Sequence, residues 1–587
     1  MLFIAAACMN ASSFAAGSLN NNVHAKGTYN LLHPAIGIIT GMPFLVNVIF
    51  IVLVASGFII LVYLTVIKIQ QRSVFNRFPS GNGIKKVSGY DRFLSVNPDF
   101  SENEFLGKVK NAFLNVQKAR RKQDFSEVRK FISDSVYRLF NTQSVMMHLL
   151  HHENVTCDLE VKNLYIDRVD TDGHYDIIHV AVHVSCEEKF SGGPESFPDT
   201  GSGCEYVEYW SFIKNREMPL NDIYCSYNCP GCGAPIIVDT DESLNCASCG
   251  AVINSGEYDW VLASVAKPCD YIATDRKLRK SAELNEKLRD ILNEHDDFSI
   301  QKLEDRAADG YLQIITSMAL NDPSVMRRFV NDAVFEKITS RMDRGVSVFS
   351  GVWLNDVIVA GLSEDRTLNI LAVYIKSSCQ RFILEKGIVS QVDPVILSDD
   401  SVILMSRDKN PSRPKGSLYA YRCPACGTAV KNSLEVRCPH CKAPLNSTRY
   451  EWIITDLMTL SEYHDYMNRN AADYNYRLNM ELIDKLYDNR DFAFNNIMVI
   501  KASDGMLTEQ QKIYARELAV KGKYNLKKIE PFLNMAANGR LVIKMPSDPD
   551  RRQDIYELMK EAAVTGSNIT PGEQQLLDHI RQEYNIS

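Results

Sequence analysis

The sequence predicts an α+β architecture in which helices precede a curved antiparallel sheet, with that unit present twice. One membrane-spanning helix comes before the pair and an all-α segment follows it. Three observations carry this reading: an ungapped internal repeat, a change of hydrophobic period inside each repeat, and a long apolar run near the N-terminus. Residues 99–137 and 297–335 align at an offset of 198, most clearly as RKFISDSVY from Arg129 against RRFVNDAVF from Arg327. Matching at so long a period means duplication. GEYDWVLASV around Trp260 is mirrored by TRYEWIITDL around Trp452, so each copy runs about 175 residues.

Within the first copy, Phe105, Val109, Ala112, Phe113 and Val116 recur at helical spacing. Val128, Phe131, Ile132, Val136 and Leu139 do the same, which predicts two helices meeting at Gln123-Asp124. Downstream the pattern becomes alternating and β-branched, with Asp172-Gly173 as a hairpin turn. The DTDG fragment lacks the acidic ligand that a calcium loop needs at its twelfth position, and it reads as the turn.

Pro43 to Ile67 is almost continuously apolar. Its 25 residues would reach about 37 Å as a helix, enough to cross a hydrocarbon core of about 30 Å. Lys68, Arg72, Arg77, Lys85, Lys86 and Arg92 follow, opposed only by Asp91, so the positive-inside rule places the bulk of the chain in the cytoplasm. The opening MLFIAAACMNASSFAAG resembles the end of a secretory signal without a basic start. With 65 basic and 72 acidic side chains among 587 residues, the formal charge is -7, which excludes a chain-wide basic field for nucleic acid.

Of the fifteen cysteines, eight form four C-x-x-C pairs. Cys229, Cys232, Cys246 and Cys249 make one set, and Cys423, Cys426, Cys438 and Cys441 the other. Each C-P-x-C-G turn converges two thiolates on one ion, and two turns complete a tetrahedral shell, so two structural zinc ribbons are expected, with iron as the alternative metal. Four protein ligands leave no position for a reacting water, which makes the metal structural. Thiol redox chemistry is the competing reading, because Cys438-Pro-His-Cys441 also suits a disulfide oxidoreductase, but such a site uses one motif in a βαβ unit. Cys225 is a substitute ligand or, more commonly, a buried free thiol. Cys157, Cys186, Cys204, Cys269 and Cys379 show no metal spacing and fit a reducing compartment.

FSENEFLGKVKNAFLNVQKARRKQDFSEVRKFISDSVYRLF resembles the Tim44-like family, with Phe105, Phe113, Gln117, Ala119, Asp124, Tyr209, Trp210, Phe212, Trp260 and Leu262 at the matching positions. The resemblance implies a cone of the nuclear transport factor 2-like type, and in the second copy it rests on Asp322, Phe329 and Trp452. Both copies depart from the family by carrying a ribbon before the last strand, an appended contact surface. IMVIKASDGMLTEQQ resembles the TerB-like helical domain, with Asp504-Gly505 ending one helix and Thr508 capping the next. Gln510 stands where that family has an acidic residue, so Asp504 reads as a cap. VTGSNITPGEQQLLDHI is a weaker second instance, with Thr565-Gly566 in place of Asp-Gly.

The organisation is then 1–42 signal remnant and extracytoplasmic tail, 43–67 transmembrane helix and 68–95 basic linker, followed by 96–272 Tim44-like domain with ribbon 225–252. A helical linker at 273–294, a second Tim44-like domain at 295–470 with ribbon 421–445, and a TerB-like domain at 480–587 complete it.

No phosphate-binding loop, dinucleotide fingerprint, nucleophile elbow or H-E-x-x-H is present, so no catalytic residue is assigned and the chain is expected not to be an enzyme. His148, His151 and His152 suit a helix C-terminus, and Lys118, Arg120, Arg121 and Lys122 read as a solvated helix end or an anionic-lipid contact. The expected function is a single-pass inner-membrane adaptor or scaffold that binds a protein complex. Small apolar ligand binding or catalysis in the cone is the alternative, and nucleic acid the less favoured one: Asp239, Asp241 and Glu242 make the first ribbon acidic, whereas Lys431, Arg437 and Lys442 make the second more permissive.

Overall fold

The computed structural model describes residues 87–191, 204–236, 244–266, 280–295, 298–342, 346–469, 476–477, 489–503, 507–521, 541–546, 548–564 and 569–587, with Leu533 and Ala536. All lie in the unit Arg77–Ser587. The predicted transmembrane helix at 43–67, the tail before it and most of the basic linker fall outside the described residues. Among those described, no helix is long and apolar enough to cross a membrane.

A short helix α1 (Tyr90–Val96) leads into α2 (Glu102–Lys122). Ser101 starts α2 by accepting the Glu104 N–H, which satisfies a donor that a helix end otherwise leaves open. Gln123 ends it in the left-handed region at φ 55°, and Asp124 holds the next turn by accepting the Ser126 N–H at 3.0 Å. The chain does not re-enter a helix there, contrary to the periodicity. Phe125, Val128, Phe131 and Ile132 are buried from turns and a 3-10 turn at Arg129–Phe131, and α3 begins only at Asp134 (Asp134–Leu149). Two local interactions set that later start. Ser133 accepts the Val136 N–H, and the buried Arg129 reaches over it to Asp134 at 2.6 Å, which leaves Ile132 extended beside Leu262.

Four antiparallel strands follow in the order β1-β2-β3-β4: β1 (Glu153–Asp172), β2 (Tyr175–Ser191), β3 (Cys204–Asn215) and β4 (Val261–Ala266). The hairpin turn is Gly173-His174, one residue later than the sequence suggested, because Asp172 pairs with Tyr175 and Gly173 takes φ 56°. Register shifts at Cys157/Glu160, Val161/Asn163 and Ile166/Arg168 bend β1 around the helices. Phe105 and Phe113 of α2 meet Trp260 and Trp210 at ring distances of 5.2 and 5.0 Å. Each such ring is worth roughly 2–3 kcal/mol of burial.

The second copy repeats this plan. After α4 (Ala282–Glu294), α5 (Ile300–Leu320) lies 198 residues beyond α2 at both ends, with Ser299 and Asn321 in the cap positions. A shorter α6 (Asp332–Met342) precedes β5 (Val346–Glu364), β6 (Leu368–Glu385), β7 (Ile388–Gln391), β8 (Leu397–Asp408) and β9 (Ile453–Thr459). The three shifts recur in β5 at Ser350/Trp353, Leu354/Asp356 and Val359/Gly361, so the bend was duplicated along with the helices. Helix α7 (Leu460–Arg469) then folds back so that Leu460, Tyr463 and Met467 cover Ile358, Tyr374, Val402 and Leu404. A two-residue strand β10 (Tyr476–Arg477) pairs with β5.

The two copies pack on each other, with α3 of the first against α5 of the second. Arg138 Nε meets Asp309 Oδ1 at 2.9 Å, Thr142 and Thr316 share a hydroxyl bond of 3.0 Å, and Asp305 accepts the Ser135 N–H at 3.1 Å. Burial pushes the Asp309 carboxyl up and Arg138 pulls it back down.

The C-terminal helices are α8 (Asn489–Lys501), α9 (Glu509–Lys521), α10 (Pro549–Val564) and α11 (Pro571–Glu583). Thr508 caps α9 as predicted, accepting the Gln511 N–H at 3.2 Å, and Thr570 with Glu573 forms a capping box on α11. Lys501 and Glu573 form a buried pair at 2.9 Å. Asp504-Gly505 and Thr565-Gly566 lie outside the described residues. This module docks on the second sheet, where Ser398 N–H donates to Ile543 O at 3.0 Å and the Tyr584 hydroxyl to Ser398 O at 3.0 Å.

Candidate metal centres

Each ribbon leaves the sheet after β3 or β8 and returns at β4 or β9. Four knuckles share one hydrogen-bond pattern. Cys229 N–H donates to Ala234 O at 2.7 Å and Gly233 N–H to Cys229 O at 2.8 Å, and the same two bonds recur at Cys246, Cys423 and Cys438. The residue after the second cysteine of each pair is left-handed: Gly233, Gly250 and Gly427 at φ 76–78°, and Lys442 at φ 58°. A lysine there carries backbone strain that glycine avoids, of about 1 kcal/mol. Lys442→Gly is therefore expected to slow metal release from the second ribbon several-fold, measured by the rate of transfer to a coloured chelator.

The structure gathers all eight predicted cysteines into two groups, and within each the Sγ atoms lie within 4.8 Å of one another. The closest sulfur pairs are 3.7 Å (Cys229–Cys249), 3.6 Å (Cys232–Cys246), 3.7 Å (Cys423–Cys441) and 3.7 Å (Cys426–Cys438). A metal–sulfur bond of about 2.3 Å gives a tetrahedron with edges of about 3.8 Å, so both sets fit a four-coordinate thiolate ion such as zinc. None of the eight is disulfide-bonded. Cys225 is exposed rather than buried and stands outside the first group.

Backbone N–H groups of Cys249 and Ser248 hold the Cys246 thiol down to about 6, and the Thr428 hydroxyl and N–H do the same for Cys426. Burial pushes Cys423 up to about 12. The Cys229 and Cys232 thiols of the first set are likewise pushed up, so in each set a metal has protons to displace at neutral pH. Zinc uptake is expected to release more than one proton per site, and affinity to fall as pH falls, because protonation competes with the metal. Titration in weak buffer with a pH indicator measures both.

The repeated R-[KR]-F motif clamps each ribbon to its sheet. Phe131 stacks on Tyr224 at 4.6 Å, the Tyr224 hydroxyl donates to Trp260 O at 2.7 Å, and Lys130 donates to Ser226 O at 2.8 Å. In the second copy Tyr419 bonds Trp452 O at 3.0 Å, and Arg328 lies 3.6 Å over the Tyr421 ring while donating to Asn432 at 2.7 Å. The second ribbon also has its own apolar centre of Leu418, Val430, Leu445 and Ile453 around Cys423 and Cys438.

The ribbons differ in charge. Residues 409–450 hold eight basic side chains and one acidic residue, Glu435. Arg422, Lys431, Arg437 and Lys442 are exposed, with Leu434 at 59% exposure among them. Arg422 and Arg437 each precede a knuckle, and each donates to the carbonyl after it (Gly427 and Lys442), a symmetry that fixes their direction. Asp239, Asp241 and Glu242 of the first ribbon are outside the described residues.

A third group, Asp393, His579 and Glu583, is already neutralised by Arg381, whose Nη2 lies 2.6 Å from Asp393 and 2.7 Å from Glu583. It is an ion-pair clasp between α11 and the second sheet. The three histidines near α3 form no such group among the described residues: His152 packs edge-on to Phe382 at 6.3 Å, and burial lowers its basicity. Of the predicted basic run, Arg120 is engaged over Phe140 and bonded to Gln143 at 3.2 Å, while Arg121 and Lys122 are exposed.

One polar row carried no motif in the sequence. Strand pairing sets Arg168, His179, Ser211 and Ser264 side by side across the first sheet. Ser211 Oγ lies 2.8 Å from His179 Nδ1, and Asp170 lies 3.1 Å from His179 Nε2 and 2.7 Å from Arg168. Alternation could place these residues inward, but only the register brings them together.

The chain is thus a duplicated bent antiparallel sheet with a four-cysteine ribbon set before the last strand of each copy. Residues 87–192 match the family model of the Tim44-like domain. No curated protein and no solved structure matches the chain.

Proposed function

We propose that the chain is a non-enzymatic adaptor, held in the inner membrane by residues 43–67, whose cytoplasmic part binds an acidic protein surface through the second zinc ribbon. The observation that carries this reading is the basic, apolar-tipped ribbon, clamped to its sheet on a chain whose overall charge is -7. A rigid basic prong steers and orients an anionic partner. The Tim44-like match supports a protein-binding or membrane-associated scaffold. Two four-thiolate zinc sites that leave no position for substrate support binding rather than catalysis. The C-terminal helices fit a TerB-like module that serves as a further docking element.

Crosslinking of the native membrane protein, compared with Arg422→Glu/Lys431→Glu/Arg437→Glu, tests it. The triple variant is expected to keep two zinc ions and lose a defined set of acidic proteins, with capture in the wild type weakening as salt rises. Unchanged capture by the variant, or capture of nucleic acid alone, overturns the reading. Alkaline extraction of membranes tests the anchor, and full release of the chain would refute it.

A further inference from the structure

The junction inside the chain joins two unlike surfaces, a face of α3 from the first copy and a face of α5 from the second. Duplication supplies one more of each, α6 in the second copy and α2 in the first. On α5, Asp305, Asp309 and Thr316 bond to α3, and Ala308 and Leu312 lie on the same stripe of the helix, both buried. Their counterparts 198 residues earlier on α2 are Gly107, Asn111, Lys118, Lys110 and Leu114, and all five are exposed. Leu312 has no exposed surface, whereas Leu114 is 37% exposed. The inner sides of the two helices do not differ in this way: Phe105, Val109, Phe113 and Val116 are buried, and so are Leu303, Ala307, Tyr311 and Ile314. Both helices are therefore seated alike on their sheets, and the outer stripe is covered in one copy and bare in the other.

The complementary surface is bare as well. Ser135, Arg138 and Thr142 are the α3 residues bonded across the junction, and their counterparts on α6, Ala333, Glu336 and Ser340, are exposed. Val334 and Ile338 are buried as Val136 and Phe140 are, which fixes α6 in the same orientation as α3. The two bare stripes match in chemistry when set together as α3 and α5 are. Ala333 falls on Gly107, Glu336 on Asn111 beside Lys110, and the Ser340 hydroxyl on Lys118, whose own surface pair with Glu127 is loose at 3.7 Å. The charge order is reversed relative to the internal pair, in which the cation is Arg138 and the anion Asp309. Glu336 would repel Asp309, and Arg138 would repel Lys110, so the bare surfaces suit each other and not the occupied ones.

We propose that the α2 stripe binds a second copy of this chain, whose α6 docks on it as α3 docks on α5, so that chains associate head to tail. A contact between unlike surfaces leaves one of each free at the ends and propagates. The inference goes beyond the adaptor role: a row of chains repeats the basic ribbon at a fixed interval and raises the effective concentration seen by a multivalent partner.

The test uses two full-length chains with different epitope tags, co-expressed in membranes, both carrying Cys225→Ser to remove an exposed thiol. One carries Lys118→Cys and the other Ser340→Cys, the counterparts of Thr316 and Thr142, whose hydroxyls lie 3.0 Å apart across the junction. A short bismaleimide is expected to give a product bearing both tags, about tenfold more than from either like pair. Leu114→Glu is expected to cut that product about tenfold while the chain keeps two zinc ions and its melting temperature. Glu336→Lys is expected to weaken it similarly, and Lys110→Glu on the other chain to restore it. The proposal is overturned by absence of the mixed product, by equal product from like pairs, by a product that Leu114→Glu leaves undiminished, or by capture at position 118 of a different polypeptide alone. None of these outcomes bears on the ribbon partner.

Discussion

Cys438→Ser is expected to lower bound zinc from two ions per chain to one and to unfold the second ribbon, while Cys225→Ser leaves both ions in place. Cys438 is fully buried beside Leu418, Val430 and Leu445, so removing its thiolate breaks both the metal shell and the apolar centre packed around it. Structural zinc supplies an apparent 10–16 kcal/mol, about what a short hairpin needs in place of a core. Because Tyr419 and Arg328 fasten the ribbon to the second copy, the loss is transmitted to the sheet, and the melting temperature should fall by roughly 10 °C. Metal analysis of the purified protein beside a thermal melt decides it. Two ions retained in Cys438→Ser, or none in the wild type, would sink the zinc assignment.

The second large effect is expected at the junction between the copies. Arg138→Met leaves the buried Asp309 without its partner, at a cost of about 3–5 kcal/mol, whereas Arg138→Met with Asp309→Leu should recover most of it. The pH dependence separates this from a packing defect. Burial raises the Asp309 carboxyl in the folded state above its unfolded value. For such a group the penalty is present at high pH and fades as pH falls and the carboxyl protonates, so the single variant should gain stability relative to wild type as pH falls toward the ordinary carboxylate range. Urea unfolding at several pH values measures this. A double variant as unstable as the single one would show that the ion pair is not what holds the junction.

How much of this was legible follows from how local each determinant is. The helices of both copies could be read because Ser101 and Ser299 cap the same periodic pattern 198 residues apart, and the ribbons because four knuckles are each encoded within five residues. The start of α3 was misplaced because Val128, Phe131 and Ile132 are buried at helical spacing without being helical: the Arg129–Asp134 pair and the bridge from Ile132 to Leu262 are not periodic features. The polar row of His179 and Ser211 and the packing of α3 on α5 depend on pairings between distant residues, which one sequence does not display. The R-[KR]-F motif was visible as a repeat, while its clamping role and its targets, Tyr224 and Tyr421, were not.

The position of the ribbons has a kinetic consequence. Between Asn215 and Val261, and again between Asp408 and Ile453, the chain leaves one strand and must return to pair with it more than forty residues later. An untied segment of that length closes slowly and at an entropic cost that grows with its length. Metal capture ties the middle of the segment into a compact knot and shortens the distance the last strand has to search. Trp260 and Trp452, which complete the aromatic core, stand immediately before the final strands, so metal capture at the two cysteine sets would set the pace at which both halves of the protein close.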